Sequence, residues 1–413
     1  MKMRRFSERA ALLGVCLAIA ATLASGASAT TRASAGGSAA TPFRVLVFGP
    51  FSGVAASFGA AYSPGIVAAA QLVNKSGGIL GHPITIKVLD DQSNPAVGVG
   101  ILQNELAGGT KYNLVITANT AFTQPYAPLL AQQDVLVESA SSATAIFRGT
   151  PYSNLFGFAF DLYSQEQGVV RQMVKMHVKN VGIIAANNAA GTEAAGYLAQ
   201  YAKNAGITTH TVLAPPTVPD ATPQLQQLQG DGAKALAVIG FSALIPTALA
   251  ARAKLGWTDP AFCDAGCAAT NWANVPAASL ANFYVEEMPW FVSGTSASAS
   301  KQFKLFYTAT QKRSSTFPLG IVVPLIGYDE ILAARAAATK AHSIDGSKMV
   351  SALESIHTAS GIPYWTGPLE LFNSTVVNGY DLPHVNHTVS GDFVFVKAKP
   401  QVNGMIAGPL VGG

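Results

Sequence analysis

Three short segments concentrate hydrogen-bonding groups with no reactive side chain among them. They are the small, hydroxylated run after Gly49-Pro50, the run Thr117-Ala118-Asn119-Thr120-Ala121-Phe122-Thr123, and the run Glu138-Ser139-Ala140-Ser141-Ser142-Ala143-Thr144. Such segments offer hydroxyls, backbone N–H groups and helix N-termini, which together suit a carboxylate or another small acceptor. That chemistry is binding, not bond-breaking. Ser and Thr at strand ends also cap the helices that follow, so each residue here carries a plain capping reading beside the binding one. Enzyme motifs are missing: there is no G-x-S-x-G, no P-loop, no H-E-x-x-H and no G-x-G-x-x-G after a strand. Asp90 and Asp91 are neighbours on a predicted strand, where adjacent side chains point to opposite faces, so no shared-proton dyad is expected of them. His384 and His387 have the spacing of a metal pair but sit beyond the turn marked by Gly379 and Pro383; no metal or other cofactor is expected. Cys263 and Cys267, four apart in a Gly/Ala-rich stretch, suit a small disulfide loop. Half of a zinc site is the competing reading, and it lacks a second Cys/His pair nearby.

The elements that must carry these segments follow from apolar patterning. Residues 45–48 form an apolar run, and a loop after Gly49-Pro50 gives way from Pro64 to helical spacing at Ile66, Ala69, Ala70 and Val73. A strand at 84–89 completes a βαβ unit. Asn94-Pro95 starts a helix, 114–116 is a strand, 124–133 a helix and 135–137 a strand. Three successive strands therefore end in hydrogen-bonding loops, and the right-handed crossover rule sets those ends side by side on one edge of a parallel sheet. In open α/β sheets that edge is where ligands bind. A second series repeats the plan: strands at 181–185, 236–239 and 282–288, and helices at 191–205 and 245–255. Helical stretches follow around 303–307, at 328–342 and at 347–356, and a small β region at 363–397.

The chain has 413 residues, enough for two or three domains, with 49% hydrophobic and 12% charged residues, so a large core is expected and wholesale disorder is not. Residues 1–29 read as a signal peptide: Arg4-Arg5, an apolar core at 10–23, and Ala27-Ser28-Ala29 with cleavage after Ala29. General secretion and twin-arginine export are both compatible with Arg4-Arg5, and Cys16 belongs to the apolar core. Four of the 26 basic residues and one of the 22 acidic ones lie in this leader, which leaves the remainder at a formal +1 with no clustered basic surface for nucleic acid. Residues 30–42 are a Gly/Ser/Thr-rich tether.

The runs GPFSGVAASFG (49–59) and NKSGGILGHPITIKVLDDQSNP (74–95) resemble the opening of the type I periplasmic binding proteins, most closely the leucine/isoleucine/valine-binding branch that delivers solutes to ABC importers. The likeness continues to about residue 400. It implies an α/β fold of two Rossmann-like lobes with parallel central sheets, joined by a three-strand hinge with crossings near 158, 288 and 385. Lobe 1 would hold 43–158 plus 289–385, and lobe 2 would hold 159–288 plus 386–413. It also implies a monomeric extracytoplasmic solute-binding protein, not an enzyme, whose partner is the membrane permease of an ABC importer; a sensor without a permease is the alternative. Residue by residue, TAFTQP takes the place of the loop that holds the ligand carboxylate, nominating Thr120 with Ala121 and Phe122. ESASSATA matches the following loop and nominates Ser142 and Thr144, with Ser141 one register away. Phe58 falls where an aromatic ring covers the ligand side chain, and Tyr62 lies one turn further on. The family's Tyr-Gly after the strand at 181–185 is Ala190-Gly191 here, and its ammonium-holding acid matches Asp264 within CDAGC. Two ligand classes stay open, a hydrophobic amino acid and an aromatic or aliphatic carboxylic acid or amide lacking the amine; Phe58, Tyr62, Phe122 and Phe241 would suit either. Trp272 and Trp290 have pocket and packing readings of equal weight.

Overall fold

Residues 45–48 are apolar at every position because both faces of their strand are covered. Val45 and Val47 enter one buried cluster with Ile66 and Val73, while Leu46 and Phe48 enter another with Leu102 and Tyr126. The second sheet repeats this, with Ile184 and Ala186 on one side and Ile183 and Ala185 on the other. The computed structural model describes residues 40–411 apart from 143–145, 147–150, 160–161, 241–242, 271, 273–274, 315–316, 318, 357–369, 373–393 and 403–404. The leader and most of the tether, with Thr144, Phe241, His384 and His387, lie outside the described residues.

The strands, in chain order, are β1 (Phe43–Gly49), β2 (Ile84–Asp90), β3 (Leu114–Thr117), β4 (Leu136–Ser139) and β5 (Leu155–Ala159). There follow β6 (Asn180–Ala186), β7 (Thr208–Ala214), β8 (Leu236–Ile239), β9 (Ala261–Cys263) and β10 (Phe283–Glu287). The last are β11 (Glu370–Phe372), β12 (Val394–Lys397), β13 (Lys399–Val402), β14 (Met405–Ala407) and β15 (Leu410–Val411). One sheet runs β11-β5-β4-β3-β1-β2 and a second runs β15-β12-β10-β9-β8-β6-β7, with β13 and β14 as a separate pair. The interior pairings of both sheets are parallel; β11, β12 and β15 add antiparallel edges. The fold is α/β, with a parallel central sheet in each of two lobes. The first sheet takes its strands from the start of the chain and from β11, the second from the middle and from β12 and β15.

Two helices differ from the expectation in a way that matters for the cleft. The first begins at Ala56 rather than at Pro64 and runs to Lys75, so much of the expected loop is helical and Pro64 sits inside it. Ala56, Gly59, Ala60 and Ala61 are too small to show an apolar period, which is why the patterning starts late. The long helix expected at 328–342 spans Val322–Ala341, with Pro324 in its first turn, where a missing N–H costs nothing. These two helices pack against each other closely enough to require glycine at the contact. A Cβ at Gly65 would lie 1.7 Å from the Pro324 carbonyl oxygen, and one at Gly327 would lie 2.6 Å from Ile66 Cγ1. The helix expected at 124–133 is instead two short ones, Thr120–Thr123 and Ala127–Leu130.

Candidate functional site

Parallel pairing of β1, β3 and β4 brings their carboxyl ends to one edge, as the strand order requires. A cavity of about 380 Å3 opens there between the two sheets. Its first wall comes from the lobe of β1: Val54, Ala55, Ser57 and Phe58 after β1, Asn119, Ala121 and Phe122 after β3, Ala140 and Ser142 after β4. Facing them are Leu162 and Gln165 from the helix Leu162–Lys175, Asn188 after β6, Pro216 and Thr217 after β7, and the turn Asp264-Ala265-Gly266 after β9. Leu319, Val322, Val323 and Ile326, at the start of the long helix, close it with an apolar surface. A larger depression of about 710 Å3 lies beside Asp220, Lys254 and Trp272, away from these strand ends. Its charged groups pair with each other, Lys254 Nζ to Asp220 Oδ2 at 3.1 Å.

The loop that carries Val54 to the cavity is held from beneath by β2. Asp90 Oδ1 accepts the N–H groups of Phe51 at 2.9 Å, Ser52 at 3.0 Å and Gln92 at 2.8 Å. Partial burial pushes this carboxyl up, but the hydrogen bonds from Ser52, Gln92 and Phe51 outweigh it and hold it below the ordinary carboxylate range. Asp91 points the other way, accepting Tyr126 Oη at 2.9 Å and Ser93 N–H at 2.9 Å. The adjacent pair braces two structures and shares no proton, as expected of neighbours on a strand. Asp90→Ala is expected to cost about 1–3 kcal/mol in urea unfolding, because three donors lose their acceptor; an unchanged midpoint would remove the bracing role.

Of the residues nominated from the sequence, Phe58, Ala121, Phe122, Ser142 and Asp264 line the cavity together. Ser141 is fully buried and does not line it, because it follows Ala140 on the opposite face of the extended chain. Tyr62 also stays outside. It is 2% exposed and packs beneath Phe58, with ring centroids 5.5 Å apart, and its hydroxyl donates to Glu330 Oε2. One helical turn places Phe58 at the rim and Tyr62 in the core, so only the first is positioned to cover a ligand. Burial, then the charge of Glu330, pushes the Tyr62 phenol well above its ordinary value. Thr120 starts the short helix after β3, and its side chain lies outside what is described. Trp272 is 1% exposed, donates its indole N–H to the Cys267 carbonyl at 3.1 Å and packs edge-on against Phe283, and Trp290 packs against the core; neither lines the cavity.

Ala190 is buried in the core of the second lobe, away from the cavity. Its neighbour Gly191 lets the helix Ala189–Asn204 approach β6, since a Cβ there would lie 2.2 Å from the Ala186 carbonyl oxygen. The cavity residue of this turn is Asn188, which caps the helix by accepting Gly191 N–H at 2.8 Å. Patterning missed Asn188, Gln165, Thr217 and the apolar start of the long helix. The run Pro318-Leu319-Gly320 followed by Ile321-Val322-Val323-Pro324 was the available signal for the last of these, a turn and then Pro in a first helical turn.

Asp264 is 4% exposed. Its Oδ1 accepts Gly266 N–H at 2.9 Å, and a Cβ at Gly266 would lie 2.8 Å from that same oxygen, so this turn needs glycine. Burial raises the Asp264 carboxyl to about 6, although the neighbouring Glu166 carboxyl and the Gly266 N–H work against the rise. The sulfurs of Cys263 and Cys267 lie 2.14 Å apart and bracket the turn that carries it. Among the described residues no three His, Cys, Asp or Glu side chains converge to hold a metal ion, and no helix is long and apolar enough to cross a membrane.

A family model for periplasmic binding proteins matches residues 42–399. Among curated relatives, the Leu/Ile/Val-binding protein homolog 3 of Brucella melitensis biotype 1 is 25% identical over 199 residues, 48% of this chain and 54% of that protein. The chain thus spans about half the length of this relative. Among solved structures, a solute-binding protein of an ABC transporter from Rhodopseudomonas palustris BisB5, in complex with 3,4-dihydroxybenzoic acid, superposes with a TM-score of 0.70 at 18% identity, covering 88% of this chain and 95% of that one. A leucine-binding protein from Thermotoga maritima MSB8 superposes with a TM-score of 0.66 at 15% identity, covering 89% and 97%. At these identities the structures speak for the fold alone. With the family model spanning most of its length, the chain belongs to the periplasmic binding proteins, in the type I, leucine/isoleucine/valine-binding branch, a family of binding proteins and not of enzymes.

Proposed function

We propose that this chain is the extracytoplasmic solute-binding component of an ABC importer, holding a small hydrophobic amino acid in the cavity between its lobes. The observation that carries the reading is the cavity itself. It sets neutral donors at the ends of β1, β3 and β4 opposite Asp264, the one carboxylate among the described residues that line it, with Phe58, Phe122 and Ile326 between them. Its volume of about 380 Å3 falls in the range of small-molecule sites, roughly 300–1,000 Å3. The ligand carboxylate would meet the loop of Thr120, Ala121 and Phe122 and that of Ser142 and Thr144, with Phe241 added from the second lobe. Closure about the hinge, with lobe 1 as 43–158 plus 289–385 and lobe 2 as 159–288 plus 386–413, would bury the ligand and present the closed shape to a permease. Export would follow cleavage after Ala29, and the mature protein would act as a monomer. An aromatic or aliphatic acid or amide without an amine is the second reading, favoured by the apolar surface of Leu319, Val322, Val323 and Ile326.

The deciding experiment is to denature protein purified from its native host and identify the released molecule by mass spectrometry. A hydrophobic amino acid supports the first reading, a deaminated acid or amide the second, and turnover of the bound molecule during incubation would overturn both. We further propose that Cys263 and Cys267 are disulfide-bonded in the exported protein, which would tie down the turn carrying Asp264. Thiol titration of the unfolded, unreduced mature chain is then expected to find no free thiol; two would remove the bond.

A further inference from the structure

The wall at Asp264 is backed by carboxyl groups. Glu166, on the helix Leu162–Lys175, and Glu286 and Glu287, at the end of β10, are each 0% exposed. Glu166 faces Asp264 and Glu286. Glu286 and Glu287, neighbours on β10 whose side chains leave the strand on opposite sides, both feel the charge of Asp264; Arg171 is the opposing cation for Glu286, and Glu287 accepts Met288 N–H at 2.8 Å. Gly168 admits this approach, since a Cβ there would lie 1.7 Å from Glu286 Oε1. Neither oxygen of Glu166 meets a donor among the described residues. Two facing carboxyls in a dry site cannot both ionise, so one keeps its proton. Asp264 is the better placed to carry charge, because Gly266 N–H supports it and because it reaches the cavity while Glu166 does not.

We propose that Glu166 keeps its proton and donates it in a hydrogen bond to Asp264, so that the pair presents one carboxylate charge to the cationic group of an apolar ligand. Glu166 is then a positioning residue that touches the ligand only through Asp264. The ligand half of the proposal rests on the binding-protein reading, whereas the carboxyl pair can be tested with no ligand present. Burial, then the charge of Asp264, pushes Glu166 well above the carboxylate range, while Asp264 is raised to about 6. Because the folded-state value of Asp264 lies above its unfolded value, its contribution to stability is fully present below about pH 4 and is lost as the pH rises through about 6.

The first test is the thermal midpoint of the ligand-free protein across that window and above it, for the wild type, Asp264→Asn and Glu166→Gln. Asp264→Asn is expected to remove about 3–6 °C of the wild-type fall, confined to about pH 4–6, whereas Glu166→Gln removes a fall that begins in the same range and continues above about pH 6, where the buried Glu166 still holds its proton. The reverse pattern, with the fall above about pH 6 lost in Asp264→Asn and kept in Glu166→Gln, overturns the assignment, as do three parallel profiles. The second test uses phenethylamine and 3-phenylpropanoate as probes. The amine is expected to bind more tightly than the acid at about pH 7.5, with its affinity falling about tenfold per pH unit below the Asp264 titration. Tighter binding of 3-phenylpropanoate would leave a binding protein but overturn the charge assignment. Amine binding that ignores pH, or no response to either probe, would overturn the ligand half and leave the pair to the first test.

Discussion

Asp264→Asn is expected to weaken binding of an amine-bearing ligand by a hundredfold or more while leaving the ligand-free fold intact. Asn keeps the acceptor for Gly266 N–H, so the turn and its bracketing cysteines are undisturbed. What is lost is the partner of a cation held out of water, and stripping one partner from a desolvated, hydrogen-bonded charge pair typically costs about 2–5 kcal/mol. Calorimetric titration with the molecule released from native protein measures the effect. Unchanged affinity would mean that no amine meets Asp264 and would favour the deaminated acid or amide. The folded variant should be no less stable than the wild type at neutral pH, since it removes a charge from beside Glu166, Glu286 and Glu287.

Gly65→Ala should cost about 3 kcal/mol or more of stability. The added carbon would fall 1.7 Å from the Pro324 carbonyl oxygen, a backbone atom that cannot rotate away, so the helices Ala56–Lys75 and Val322–Ala341 must separate. Phe58 and Ile326 ride on those two helices and line the cavity, so ligand affinity should fall with stability. The control is Gly196→Ala, on the exposed face of the helix Ala189–Asn204, where a Cβ meets nothing within 4 Å. There the better helix propensity of Ala should stabilise by about 0.5–1 kcal/mol. Denaturant unfolding of both variants gives the comparison, and equal effects would mean that the helix contact is looser than its geometry implies.

Much of the fold was legible because its central strands are short, apolar and separated by clear breaks. A parallel sheet covered on both faces writes itself as runs such as Val45-Leu46-Val47-Phe48, and right-handed crossovers then leave little freedom in where the strand ends meet. The hydrogen-bonding loops after β1, β3 and β4 therefore identified one side of the cavity from local patterning alone. Phe58, Phe122 and Ser142 were within reach of that reading, helped by family likeness.

The remainder depended on segments that meet only in the folded chain. Helical phase, which the small residues from Ala56 to Ala61 concealed, decides that Phe58 reaches the cavity while Tyr62 turns into the core toward Glu330. The apolar side formed by Val322, Val323 and Ile326 comes from a helix more than 180 residues after Ser139, the last residue of β4, and it packs where it does because Gly65 and Gly327 leave room. Glu166, Glu286 and Glu287 show the limit most plainly. In a sequence a glutamate is read as solvated, because burying its charge alone is too costly. Only when the helix Leu162–Lys175 lies against β10 do these carboxyls meet Asp264, and only then does sharing or keeping a proton become the way to bury them. The residue types and their local order determined that this is a two-lobed α/β binding protein. Which side chains face the ligand, and with what charge, was decided by contacts between distant elements that no local period encodes.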